Sequence, residues 1–457
     1  MKPINPSIFR AYDIRGKVDR DFDAEWVEVL GRALGTYFKS KGYVAAALGR
    51  DCRHSSPGYA AALAAGLCST GCDVVDLGMV PTPVHYYGVR RLGLAAGVMV
   101  TASHNPPQYN GFKVWCGSST IQDEEVQAVR RIMESGSFAS GRGMFSEHDV
   151  TPSYIAELAS LVTLDHPVKL VVDGGNGAGG EVCVELLRRA GAEVIPLFCE
   201  PDGSFPNHHP DPVVAENTQA LAELTRTAGA ACGIGLDGDG DRIGAVDEAG
   251  RMVYGDHLLA LYAREALARV PGGMVIGDVK CSHLLFKDIA ARGGKPLMAR
   301  TGHSPMKQAL HDTGALMAGE LSGHMFFNDR FFGWDDALYA ALRLAEILAR
   351  APGQPLSALL TGWPTTFSTP EIRREVPEGV KFKAVERFLE HCRGKYAVDT
   401  TDGARIDFGD GWALVRASNT QSALTLRFEA ESEKRLAEIQ RLVDEPLARF
   451  VTEIARG

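Results

Sequence analysis

The chain is predicted to be an α/β protein of four domains, three of them similar and built on mixed, largely parallel sheets, the fourth a smaller C-terminal α+β domain. Three observations carry this. At 457 residues the chain is too long for one core of ordinary size and fits three or four domains. A unit of apolar strand, Gly/Asp turn, small-residue helix and glycine occurs three times, twice closed by a second apolar strand. Such strand-helix-strand units build parallel, doubly wound sheets through right-handed crossovers. The tail breaks the pattern with three successive strand-like runs and a final amphipathic helix.

The first unit runs from Val44 to Asp51, through a helical stretch from about Gly58 to Ser69, past Gly71 to Val74–Leu77. A further apolar run, Ala95 to Val100, reads as a buried strand, and Pro106-Pro107 stops regular structure soon after it. Ser103 and His104 are therefore expected on an exposed turn at a strand end, where α/β proteins place chemistry. The second unit starts at Lys169–Asp173, turns through Gly174–Gly177 into a helix from Val182 to Arg189, and continues past Gly191 to Val194–Leu197. Met274–Asp278, a helix from Leu284 to Ala291 and Gly293-Gly294 make the third. In the tail, strands are read at 403–408, 412–416 and 423–428, and a helix from about Ser432 to Ile454. Domain boundaries are placed at 1–149, 150–250, 251–364 and 365–457.

A net charge of −9 argues against a nucleic-acid surface, which would need clustered Lys and Arg, so any anionic ligand must be held in a local basic pocket. Nine cysteines at irregular spacing show no CxxC and no zinc pattern, and are read as reduced core residues. No window approaches the ~20 apolar residues that span a bilayer, and the first residues lack the apolar stretch of a signal peptide. A cytoplasmic protein with no membrane partner is expected, a monomer by default with a dimer as the alternative.

Two segments carry chemistry together. Thr101-Ala102-Ser103-His104-Asn105-Pro106 offers a hydroxyl nucleophile, and Asp237-Gly238-Asp239-Gly240-Asp241-Arg242 offers three alternating carboxylates that can converge on one hard cation in an extended loop. An EF-hand calcium loop is the rival for the acidic segment, because Glu248 falls at its twelfth position, but Arg242 stands where that loop needs glycine. Arg416, Ser418, Asn419 and Thr420 combine a guanidinium fork with hydroxyl and amide donors and suit a phosphate dianion. Gly175-Asn176-Gly177-Ala178-Gly179-Gly180 matches GxGxxG after a strand; a tight strand-to-helix turn explains it as well as a dinucleotide does. An NAD-dependent oxidoreductase and a calcium-binding protein are thus the readings from other classes, and a phosphatase using the same serine is a third.

TASHNP, DGDGDR, Gly319-Glu320-Leu321-Ser322-Gly323-His324 and Arg416-Ala417-Ser418-Asn419-Thr420 occur in the order seen in the α-D-phosphohexomutase family, with Phe9-Arg10-Ala11-Tyr12-Asp13-Ile14-Arg15-Gly16 near the start. The chain resembles the bacterial phosphomannomutase/phosphoglucomutase group over nearly its whole length. The resemblance implies a central cleft to which each domain contributes a loop. It implies phosphorylation of Ser103, a Mg2+ ion held by Ser103, Asp237, Asp239 and Asp241, and transfer through glucose 1,6-bisphosphate, which also serves as activator. Its substrates would be the 1- and 6-phosphates of glucose and mannose, feeding sugar nucleotides for polysaccharide synthesis. Glu320 and Ser322 match the residues that grip sugar hydroxyls, and Tyr12, Arg15, Lys280 and His303 match further substrate contacts. His104 belongs to the serine motif, Lys113 and His324 are candidates for proton transfer, and Arg242 for electrostatic support. Phosphoglucosamine mutases, the alternative by the same mechanism, usually carry glutamine at the position of Leu321 and serine at that of Thr101, which favours glucose and mannose phosphates.

Overall fold

The computed structural model describes residues 2–418 and 422–456, without the side chain of residue 378. Three of its four sheets repeat one wiring. In the first, the strands lie in the order Ile14–Lys17, Tyr109–Cys116, Ala96–Val100, Ala45–Arg50, Asp73–Met79 and Phe145–Glu147, with Ser119–Thr120 beside Tyr109–Cys116. The second runs Met252–Val253, Ile243–Asp247, Cys232–Leu236, Lys169–Asp173, Glu193–Leu197, and the third Lys295–Ala299, Met274–Asp278, Met317–Gly319, Met325–Phe327. Each has a parallel centre: Ala45–Arg50, Lys169–Asp173 and Met274–Asp278 are parallel to both neighbours. Each then turns one outer strand of that centre back on itself as an antiparallel hairpin.

Those hairpins matter because their connections are the three motifs, at 101–108, 237–242 and 320–324. Ala96–Val100 and Cys232–Leu236 are buried at every residue. Strands covered on both faces read as unbroken apolar runs, which is why the first of them stands out in the sequence.

The expected units are present with ends shifted by a few residues: helices at Ser56–Ser69, Gly180–Arg189 and His283–Ala291, and a last helix at Glu433–Arg456 that continues through Pro446. The fourth sheet is antiparallel, with Ala397–Asp399, Ala404–Asp407, Gly411–Ala417 and Ala423–Ala430 in order, flanked by Phe367–Ser368 and Ile372–Glu375. Its core, from Val376 to Phe450, is its own. Beside cores of their own, the first three domains share a cluster running from Ala47 through Leu186 and Leu259 to Leu356. At its centre the helix Ala337–Ala349 buries nearly every residue, capped by Asp336, whose carboxylate accepts from Tyr339 N (2.8 Å) and from the Tyr154 hydroxyl (2.9 Å).

All nine cysteines are free, six buried and three half-buried. Among the described residues no helix is long and apolar enough to cross a membrane.

Candidate active site

Ser103 is not on an exposed turn, as the sequence led us to expect, but is 4% exposed, because the acidic loop of the second domain lies across it. It adopts a left-handed conformation, φ 50°, rare for a residue with a side chain. Its N–H donates to Thr101 Oγ1 (2.9 Å), and Thr101 Oγ1 donates to Asp51 Oδ2 (2.8 Å). Its own Oγ donates to Asp237 Oδ2 at 2.6 Å, with His104 Nδ1 at 3.2 Å. Burial, and then the charges of Arg242 and Arg15, push the His104 imidazole well below its usual pKa, so it stays neutral. Gly238 permits the approach: a Cβ there would lie 2.5 Å from the Ser103 carbonyl oxygen.

Asp237, Asp239 and Asp241 are all fully buried, with one oxygen of each within 4.8 Å of the others. Asp237 also accepts from the N–H groups of Asp241 and Arg242 and from Arg242 Nε, each at 3.1 Å. Lys113, on the return strand of the serine hairpin, donates to Asp239 Oδ2 (2.7 Å) and to Asp241 Oδ2. Burial and the two neighbouring carboxylates raise Asp237 to about 7. Burial would lower Lys113, but Asp239 and Asp241 outweigh it and hold its pKa well above the ordinary value. Asp239 Oδ1 and Asp241 Oδ1 are buried with no hydrogen-bond partner. Convergent carboxylates with two orphaned oxygens fit a hard cation such as Mg2+. They do not form an EF-hand, because Glu248 turns away and accepts from Ser357 Oγ at 2.5 Å.

The third loop meets the second directly. Arg242 and His324 form a bridge, and Ile243 N donates to Gly323 O (3.0 Å). His324 Nδ1 lies 3.1 Å from Asp335 and 3.8 Å from Asp241; these carboxylates outweigh burial and raise the imidazole pKa. Glu320, 2% exposed and raised by burial, accepts from Gly302 N and Ser322 Oγ, both at 2.9 Å. His303 packs edge-on to Tyr12 at 4.9 Å and is pushed well below its usual pKa by burial, then by Lys307 and Lys113. Tyr12 is raised to about 12 by burial and by Asp13 and Glu320. Arg15 donates to Asn105 Oδ1 (3.2 Å) and pairs with Asp13 (2.6 Å).

At the far side, Lys280 Nζ lies 3.3 Å from Glu371 and 3.7 Å from Asp278, and Arg416 pairs with Asp402 at 3.0 Å. The Ser418 carbonyl accepts from Lys381 Nζ (2.7 Å). Asn419 and Thr420 lie outside the described residues. The predicted residues thus fall into a serine-and-carboxylate centre, a Glu320–His303–Tyr12 wall, and a Lys280–Arg416 end, linked by charges felt at Tyr12 from both Glu320 and Arg416. Sequence reading missed Asp51, Arg53, Asp335 and Glu371. The first two sit just past the strand Ala45–Arg50, beside the one that delivers Ser103, and that shared strand end was the available signal.

The glycine turn at Gly175 has a packing role. Ala178 N donates to Gly238 O (3.0 Å), and a Cβ on Gly177 would lie 2.6 Å from that same oxygen. The backbone of the acidic loop packs directly against this turn.

A buried serine hydroxyl on converging carboxylates, with lysine and arginine around it, is a site suited to phosphoryl transfer. Family models for the phosphoglucomutase/phosphomannomutase α/β/α domains I, II and III match residues 6–140, 152–250 and 254–367, and that for the C-terminal domain matches 371–445. The chain belongs to the phosphoglucomutase/phosphomannomutase family. It is 45% identical over 435 residues to a phosphomannomutase/phosphoglucomutase of Pseudomonas aeruginosa, covering 95% of this chain and 94% of that protein. It is 42% identical to a phosphoglucomutase of Neisseria gonorrhoeae, with 96% of each covered. A solved family structure from Burkholderia thailandensis superimposes with a TM-score of 0.91 at 41% identity, covering 100% of this chain and 99% of that one.

Proposed function

We propose that the protein is a phosphohexomutase that interconverts the 1- and 6-phosphates of glucose and mannose, with Ser103 as phosphoryl carrier. The observation that carries this reading is the Ser103 Oγ to Asp237 Oδ2 contact of 2.6 Å inside a carboxylate cluster with unpaired oxygens. Asp237, Asp239, Asp241 and the Ser103 oxygen would hold Mg2+, which when bound neutralises charge on the transferring phosphoryl group. Arg242, already on Asp237, lends a fixed positive charge beside the same hydroxyl.

Glu320 and Ser322 hold the sugar hydroxyls, Arg416, Ser418, Asn419 and Thr420 hold the phosphate that is not reacting, and Lys280 and His303 make further substrate contacts. Tyr12 and Arg15 close the wall between these ends. The free sugar hydroxyl attacks phosphorus, its O–P bond forms as the Ser103 Oγ–P bond breaks, and the hydroxyl proton passes to His324. His324, in its neutral form, is chosen because Lys113 already donates to two carboxylates. The 1,6-bisphosphate then turns end for end and returns its other phosphoryl group to Ser103.

The test is a peptide mass map of the purified protein before and after incubation with glucose 1,6-bisphosphate and Mg2+, beside a coupled assay from glucose 1-phosphate. One phosphoryl group on the Ser103 peptide with glucose 6-phosphate formed is expected. Turnover without phosphorylation at Ser103, or release of inorganic phosphate faster than isomer, would overturn the reading.

A further inference from the structure

Arg53 belongs to none of the motifs, yet it is 0% exposed and lies beneath the serine loop. A guanidinium has five N–H donors in a rigid planar fork and no acceptor, and here all five are engaged. Nε donates to Asp51 Oδ2 (3.0 Å), Nη1 to the carbonyls of Pro106 (2.7 Å) and Tyr109 (3.0 Å), and Nη2 to those of Ser103 (2.7 Å) and Asn105 (2.5 Å). Four carbonyls of the 103–109 stretch therefore converge on one buried cation, whose charge Asp51 balances.

Asp51 reaches the same loop by a second route. It accepts from Thr101 Oγ1, which in turn accepts from Ser103 N. The carbonyl of Ser103 is thus held by Arg53 and its N–H by Thr101, so both peptide planes flanking the nucleophile are fixed. The second domain covers the device: the Phe205 ring lies 5.1 Å from the guanidinium, and a Cβ on Gly203 would stand 2.7 Å from Arg53 Cα.

We propose that Arg53, with the Asp51–Thr101 bridge, is a positioning residue that holds Ser103 in its left-handed conformation with Oγ aimed at Asp237. Non-glycine residues stay in that region only where their surroundings over-determine it, and Ser103 has no other described backbone restraint of this strength. Without the clamp the loop relaxes toward ordinary turn geometry and the hydroxyl leaves the carboxylate cluster. A lysine cannot replace the fork, because a point charge with three donors cannot meet four carbonyls and a carboxylate in one plane. The inference rests on the reading of Ser103 as phosphoryl carrier.

The test compares wild type, Arg53→Lys and Thr101→Val in the full chain with Mg2+ and glucose 1,6-bisphosphate. It measures kcat and KM for glucose 1-phosphate, the rate of Ser103 phosphorylation by peptide mass, and Tm. Displacing a reacting atom by an ångström costs roughly 10²-fold, so Arg53→Lys is expected to lose about that factor in kcat and in phosphorylation rate. Thr101→Val, which cuts only the bridge, should lose roughly 10-fold by the same argument. In both, KM should stay within about threefold, because the loops that carry Glu320, Ser322, Lys280 and Arg416 are untouched. Folded variants with wild-type kcat, or losses shared between kcat and KM in step with Tm, would overturn the proposal. If Arg53→Lys does not fold, Thr101→Val decides by the same criteria. A wild type with no phosphoserine and no turnover would instead sink the reading of Ser103, which separates the two failures.

Discussion

Around Ser103 the polar groups that set the loop's shape are satisfied within the protein, by Thr101, Asp51, Arg53 and Asp237. Around Lys280 and Arg416 the cations instead rest on carboxylates, Glu371 and Asp402, that stand where a phosphate would be welcome. The first arrangement holds the loop backbone in one geometry, through the N–H and carbonyl of Ser103. The second is exchangeable, because a phosphate dianion offers each cation more negative charge and more acceptor oxygens than a single carboxylate does. A reaction in which one sugar bisphosphate must bind, turn and bind again needs both: fixed atoms where bonds form and replaceable contacts where the ligand is held.

The connections to the fourth domain follow the same division. Arg405 and Arg427 donate to backbone carbonyls of Val279, Cys281 and Lys280, and Ser282 Oγ donates to Glu429 (2.7 Å). These bonds centre on the Lys280 turn, so a ligand that draws Lys280 away from Glu371 acts at the seam between the third and fourth domains.

The contrast can be broken most severely at the serine end. Ser103→Ala should abolish turnover, a loss of roughly 10⁴-fold or more, as when a covalent nucleophile is removed; residual activity above that level in the coupled assay would refute the carrier role. Next, chelation of divalent ions should reduce activity to background and Mg2+ should restore it, while Asp239→Asn should lower kcat by about 10²- to 10³-fold. Full activity in EDTA would show that the carboxylates serve only Lys113.

At the exchangeable end, Arg416→Ala should raise KM by about 10- to 100-fold, with a smaller change in kcat, because it removes binding common to ground and transition states. A fall in kcat alone would place Arg416 in the chemistry and erase the distinction. Glu371→Gln should lower KM a few-fold, since the substrate phosphate no longer displaces a carboxylate from Lys280; an unchanged KM would show that Glu371 is no placeholder.

The smallest effect is in acid. Burial would raise Glu371, but Lys280 and Arg373 outweigh it and hold the carboxyl at about 2, below its ordinary 4.5. A depressed carboxyl contributes stability that is complete above the ordinary value and is lost as pH falls through the folded one. Wild-type Tm should therefore drop by a degree or two more than that of Glu371→Gln between pH 5 and pH 2.5. Parallel acid limbs in the two proteins would deny the ion pair any role in docking the fourth domain.

The residues set much of this by themselves. Apolar runs such as Ala95–Val100 read as buried strands, the alternation of Asp and Gly at 237–241 read as a tight carboxylate loop with an EF-hand as its rival, and the tail's change of period marked a different domain. Such signals are local: periodicity and turn chemistry act over a few residues and survive in any context. What a lone sequence could not carry were contacts between distant residues. Arg53 in Arg50-Asp51-Cys52-Arg53 looks like any surface charge until the fold sets it against carbonyls some fifty residues away, and Ser103 looks exposed until Gly238 lets the second domain lie across it. The likeness of the three motif hairpins was equally hidden, since their sequences differ and only the strand pairing makes them equivalent. Sequence thus determined which groups are present and on what local frame, and tertiary structure decided which are buried, which are paired and which remain exchangeable, because desolvation and charge pairing depend on neighbours that the chain supplies only when folded.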